Sequence, residues 1–293
     1  MSPTVTATLS SSGPTLGGCV MFPPDNPWNR DVTNDPVDPN SDTYVTAING
    51  IGGQLVHPDF GSFSGYGIPY VVVPQSQAMV PITFTDSGDE SDPGPYPIPA
   101  NAPVEVGSDQ HVLVVRQGEC KLYEMFYASK DSVGSGWTAS SGAVFDLSSN
   151  ALRPDSWTSA DAAGLPILPG LARYDEVSAG AIRHALRFTI VRAQRAWVHP
   201  ATHYGVTTDT HFPPMGTRFR LKASYDTSGF TGQSRVIVEA LKHYGMFVAD
   251  QGSNWYITGA TDPNWDDDDL DQMKSIPGSA FEVVQLGTIY HYP

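Results

Sequence analysis

The sequence predicts a mainly β chain: a β-sandwich or jelly-roll-like single domain with a few peripheral helices. Three observations lead there. The 293 residues include 28 Gly and 25 Pro, which favour turns and ordered loops over long helices. Only 16% of the chain is charged. Nine short apolar runs follow one another, each bounded by Gly, Pro, Asn, Asp or Ser, which is the pattern of sandwich strands rather than of βαβ units.

Residues 1–18, beginning "MSPTVTATLSSSGPT", have the Ser/Thr/Pro/Gly composition of a linker, and 19–293 form the β-rich domain. From Cys19 to about Ala47 the chain reads as ordered loop rich in Asp, Asn and Pro, with one short helix opening at Ser41 as N-cap. The nine strands are placed in "YGIPYVVVP", "VPITFT", "QHVLVV", "CKLYEMFYA", "GAVFDL", "IRHALRFTIV", "TRFRLKASY", "NWYITG" and "FEVVQLG". "QSRVIVEALKHYGMFVA" is the main helix: Val236, Ala240, Leu241 and Tyr244 recur at helical spacing, and Gly245 offers a stop. In "DPNWDDDDLDQMKSI" the aspartates 266–269 suit a helix start and Lys274 its end; a calcium site is the alternative.

The formal net charge of -15 disfavours nucleic acid and anionic lipid as partners. No run of 18 apolar residues suggests a membrane span. Cys19 and Cys120 are compatible with one disulfide, as in an exported protein, although two unpaired buried thiols are also possible. Phosphate-binding glycine loops, nucleophile elbows and the usual helical zinc motifs are missing, so no cofactor or metal is expected.

Two clusters carry candidate chemistry. The first is the hairpin "SDQHVLVVRQGECKLYEMFYA". With Gln117 and Gly118 as a two-residue turn, His111 falls opposite Glu124. Val115, Leu113, His111 and Asp109 then share a face with Cys120, Leu122, Glu124 and Phe126. A face that is apolar near the turn and ionisable further out marks a core opening into a cleft. Glu124, beside Leu122 and Phe126, is therefore the candidate general acid, tuned by His111, unless the pair merely fixes register. Its carboxylate partner would be Asp109, with a Cα within roughly 7–8 Å, or Asp146 or Asp161, the last of which could instead be an N-cap.

The second cluster spans 182–222. His184 caps the apolar row Leu186, Phe188 and Ile190, with Arg183 and Arg187 on the other side. His199, His203, Asp209 and His211 follow, but Pro200 spoils a helical pairing of His199 with His203. Arg183, Arg187, Arg192, Arg195, Arg218, Arg220 and Lys222 form either a solvated face or a stripe for an anionic substrate.

The stretches "DNPWNRDV", "HPDFG", "SDPGPYPIPANAPVE", "ALRPDSWTSADAAGLPILPGL", "RHALRFT", "PPMGTRFRLKASYD" and "HYGMFVADQGSNWYITGA" resemble a group of secreted bacterial proteins of unassigned activity. The resemblance implies export and, by analogy, a polysaccharide-active or wall-associated role. The expectation is thus a secreted glycoside hydrolase acting on a polysaccharide. Its catalytic candidates are Glu124, Asp109, His111, His184 and Asp161, and its substrate-binding candidates Arg187, His203, Tyr123, Trp137 and Trp157. A polysaccharide lyase with His184 as base, an oxidative enzyme using His184, His203 and His211 on a metal, and a non-catalytic carbohydrate-binding protein are the alternatives.

Overall fold

All nine apolar runs contain strands. The computed structural model describes residues 13–131, 134 and 136–292, so 1–12 of the expected linker lie outside the described residues. Within the remainder, Thr15–Leu16 already pairs with Cys19–Val20, and regular structure starts before the expected boundary.

The molecule is mainly β and sandwich-like. A four-stranded sheet runs Ser141–Asp146, Lys121–Phe126, Val112–Arg116, Tyr70–Val73, and a six-stranded sheet runs Phe281–Val283, Arg218–Leu221, Met246–Gln251, Leu186–Ile190, Tyr256–Thr258, His57–Asp59. Pairing is mixed: Leu186–Ile190 is parallel to Met246–Gln251, and Tyr70–Val73 to Val112–Arg116.

The hairpin of the four-stranded sheet is buried on both faces, which explains its near-continuous apolar sequence. Leu113, Val115 and Leu122 join the main core, which also holds Phe188 and Phe219 of the larger sheet and Trp255 just before one of its strands. Val112, Val114, Tyr123 and Met125 point the other way, into a second core with Tyr96, Ile98, Trp137 and Ala139.

The long helix spans Gly232–His243 and buries Ser234, Ile237, Val238, Ala240 and Leu241. Gly245 stops it in the left-handed region at φ +66°, where a Cβ would lie 2.1 Å from the Phe219 carbonyl oxygen. The rest of that apolar run becomes the strand Met246–Gln251.

The helix at Ser41–Asn49 forms as expected, but Ser41 is inside it, and its hydroxyl accepts the Val283 N–H instead of capping. The aspartate run forms only Asp267–Leu270, capped by Asp266. Asp267 ties down Ser62, and Asp269 accepts the Ser234 N–H. Cys19 and Cys120 are bonded, with Cα atoms 5.4 Å apart. Among the described residues no helix is long and apolar enough to cross a membrane.

Candidate functional site

The hairpin register differs from the expected one by two residues. Arg116 faces Lys121 and Leu113 faces Glu124, so the loop is the four residues 117–120 rather than Gln117–Gly118 alone. Cys120 is drawn out of the ladder at φ +48° by its bond to Cys19. A slip of two preserves the face, so His111 and Glu124 still share it, but they are not partners.

Glu124 is 0% exposed. Its carboxyl accepts the Ile167 N–H at 2.9 Å and the Leu168 N–H at 2.9 Å, at the start of the short 3-10 turn Leu168–Gly170. Burial pushes it up to about 7, and these two amides only partly offset that. The expectation that Glu124 is a general acid at a cleft mouth is corrected: it is sealed inside, where it holds two otherwise orphaned amides of a buried turn.

His111 is buried too, between Glu105 Oε2, 2.5 Å from Nδ1, and the Ala160 carbonyl oxygen, 3.1 Å from Nε2. Both partners are acceptors, so the ring carries a proton on each nitrogen. Burial disfavours that charge, but the hydrogen bond and charge of Glu105 prevail and hold His111 above its ordinary value. His111 in turn holds Glu105 below its own, against the burial of that carboxyl.

The ionisable groups do converge, one layer further in. Arg187 Nε and Nη2 donate to Asp161 Oδ2 and Oδ1 at 3.1 and 2.8 Å, and Nη1 donates to Thr258 Oγ1 at 2.8 Å. Asp250 Oδ2 lies 4.0 Å from the same Nη2. Asp161 is therefore no helix cap. It is the buried anchor of a two-bonded guanidinium pair. Segment 158–171 thereby ties the sheets together, with Asp161 on Arg187 of the larger sheet and Ile167–Leu168 on Glu124 of the smaller.

Beside this pair opens a cavity of about 220 Å³. Its lining includes Ser87, Ser140, Ser141, Thr158, Phe126, Asp161, His203 and Asp250. The Asp250 side chain keeps 27% of its surface exposed. Burial, then the charge of Asp161, pushes its carboxyl up to about 7, with Arg187 pulling the other way. His203 Nδ1 lies 2.8 Å from the Ala162 carbonyl oxygen, so it carries the proton, and Nε2 keeps its lone pair. Burial holds this imidazole below its ordinary value despite Glu90, which lies 3.9 Å from Nε2. The cavity wall thus holds one carboxyl that retains a proton near neutrality and one imidazole able to accept one.

Other candidates lie elsewhere. Asp109 is exposed beyond the strand start, next to Tyr127 rather than Glu124, and Asp146 sits opposite Lys121 at the far end of its strand. His184 is buried between the Ala185 carbonyl and Glu176, 3.0 Å from Nε2, where it anchors the helix Tyr174–Ser178. His211 pairs with Asp209 on an exposed loop. His184, His203 and His211 do not converge, and no group of three metal-binding side chains occurs among the described residues.

Tyr123 and Trp137 are buried in the second core, on the sheet face away from Glu124, and offer no sugar platform. Trp157 is half-buried beneath Arg153. Three cations of the supposed basic stripe are internal, whereas Arg183, Arg192 and Arg195 are exposed and Lys222 is half-buried. Arg187 is committed to Asp161, Arg220 to Glu282, and Arg218 to the carbonyls of Tyr244, Pro27 and Arg30.

Asp250 and Glu105 were not singled out from sequence. Asp250 had a usable signal, an ionisable group ending the apolar row "MFVAD", the same pattern that drew attention to His111. Glu105 sits in an irregular loop without periodicity. Comparison with protein families, characterised proteins and solved structures finds no match for this chain.

Proposed function

We propose that the protein is an exported hydrolase of glycosidic bonds, with Asp250 as general acid and His203 as the base that activates water. The observation that carries this reading is the pair of proton-transfer groups, tuned in opposite directions, on the wall of one mainly apolar cavity. Five Ser and Thr residues with one phenyl ring suit a sugar, which presents hydroxyls at its rim and C–H bonds on its faces. At about 220 Å³ the cavity is smaller than common drug-sized sites of roughly 300–1,000 Å³ and matches about one sugar ring.

In the reaction, Asp250 gives its proton to the bridging oxygen as the bond to the anomeric carbon breaks. His203 Nε2 takes a proton from the attacking water, whose oxygen forms the new bond. Asp161, tied to Arg187, holds a negative charge near Asp250 and keeps the acid protonated. The Cys19–Cys120 bond supports an oxidising compartment.

Incubation with a panel of polysaccharides, followed by mass spectrometry of released products, tests the reading. Hydrolysis products are expected from the wild type, with a loss of about 10²-fold or more in Asp250→Asn and in His203→Ala. The kcat/KM profile should be a narrow bell. Its alkaline limb lies near pH 7, where Asp250 loses its proton, and its acid limb lies below 6.5, where His203 gains one. Full activity in folded Asp250→Asn removes the mechanism.

Carbohydrate binding without turnover is the second reading. It is favoured by the saturation of Asp161, which leaves Asp250 as the one cavity-lining carboxyl not directly hydrogen-bonded to a guanidinium, where glycosidases ordinarily use two carboxyls.

A further inference from the structure

Two aromatic runs leave the cavity wall, one at the end of the strand Lys121–Phe126 and one in the loop that carries His203 and Tyr204. From Phe126 the chain passes directly to Tyr127, whose ring centroid is 6.3 Å from that of Phe126. Tyr127 is 56% exposed and held in the left-handed region at φ +50°, its N–H donating to the Asp109 carbonyl at 2.8 Å. A bulky residue in that conformation is strained, and the exposed ring is not compensated by burial. From His203 the second run continues to Tyr204, ring centroids 4.1 Å apart, and on to Tyr292 at 4.4 Å, which is 41% exposed. Arg195 lies over the Tyr292 ring at 4.6 Å, fixing its plane.

We propose that these rings extend the cavity into a binding tract for a neutral glycan chain of several sugar units, with the bond to be cleaved at the cavity. The inference rests on the reading of the cavity as a sugar site. Rigid aromatic faces match the apolar C–H faces of successive pyranose rings and lose little side-chain entropy on binding.

Charge selects a neutral chain over a polyuronate. The protein carries a formal net charge of -15, Asp250 and Asp161 line the cavity, and Glu90 lies 3.9 Å from His203. Arg187, Arg218 and Arg220 are bonded inside the fold, and the exposed Arg195 lays its guanidinium over the Tyr204 and Tyr292 rings. A monosaccharide-specific site would need no exposed rings beyond its wall.

The test is affinity electrophoresis in gels containing laminarin, xylan, glucomannan or dextran, with polygalacturonate as the anionic comparison. It uses the full chain as wild type, Asp250→Asn, Tyr127→Ala and Tyr292→Ala, with far-ultraviolet circular dichroism to confirm folding. At least one neutral polysaccharide is expected to retard wild type and Asp250→Asn, and each tyrosine variant to lose roughly fivefold in association. Polygalacturonate should not retard any of them.

The tract is overturned by absence of retardation on every neutral polysaccharide, by unchanged retardation in both tyrosine variants, or by preference for polygalacturonate. Retardation without product release supports the tract and ends the hydrolase reading. Product release with an unchanged preference for hexasaccharide over disaccharide in both tyrosine variants ends the tract and leaves that reading intact.

Discussion

Glu124 and Asp250 are two carboxyls pushed to the same value, about 7, chiefly by burial, yet their surroundings differ. Access separates them: Glu124 has no exposed surface and its carboxyl's hydrogen bonds come from backbone amides, while Asp250 borders a cavity. Replacing Glu124 with Gln turns one acceptor oxygen into a donor that faces N–H groups. The expected cost is about 1–3 kcal/mol, read as a lower urea midpoint, with activity per folded molecule retained. The pH dependence has a definite sign. A carboxyl whose value rises from 4.5 in the unfolded chain to about 7 in the folded one holds a proton that the unfolded chain releases, so its contribution to stability falls as pH climbs between those values. Urea midpoints at pH 5 and pH 8 should therefore differ less in Glu124→Gln than in wild type. An equal difference would mean that Glu124 does not titrate in this window.

At the scale of elements, the strands were legible because each apolar run ends in turn-forming residues, and that signal is local. Where the signal was shared, it misled. The run through "MFVAD" continues a helix without interruption, and only Gly245 divides the helix from the strand that carries Asp250. Hairpin register was harder still, because the loop length depends on Cys120, whose partner lies 101 residues away. The candidate site followed the same rule. His203, Asp161 and Arg187 could be picked out as unusual residues, but their pairings come from long-range packing that periodicity does not encode. Arg218 is the clearest case. It reads as an exposed strand cation, but it is buried, pulled down to about 9 chiefly by burial, and donates to three backbone carbonyls at 2.7, 2.8 and 2.7 Å. Two of these, Pro27 and Arg30, belong to the loop that precedes the helix Ser41–Asn49, so Arg218 clamps that loop onto the larger sheet. Arg218→Ala should strand buried acceptors and cost about 3 kcal/mol or more. Limited proteolysis should then cut first within residues 23–32; protection of that loop equal to wild type would refute the clamp.

For the whole molecule, the disulfide is the covalent cross-link that joins the N-terminal segment to the hairpin loop, 101 residues apart. Cys19 opens the segment that Arg218 clamps, and Cys120 ends the loop that sets the register of Glu124. The bond therefore ties the outer loop, the smaller sheet and, through Glu124 and segment 158–171, the larger sheet into one cooperative unit. Closing a loop of 101 residues removes chain entropy from the unfolded state worth on the order of 4–5 kcal/mol. At roughly 2–4 °C per kcal/mol for a large single domain, the double variant Cys19→Ala with Cys120→Ala should melt about 8–20 °C below wild type. Dithiothreitol should lower the wild-type midpoint by a similar amount and leave the variant unchanged. The variant should still bind polysaccharide at low temperature, because none of the residues lining the cavity is a cysteine. A melting temperature equal to wild type would show that the 19–120 bond adds no stability beyond the packing of the two sheets.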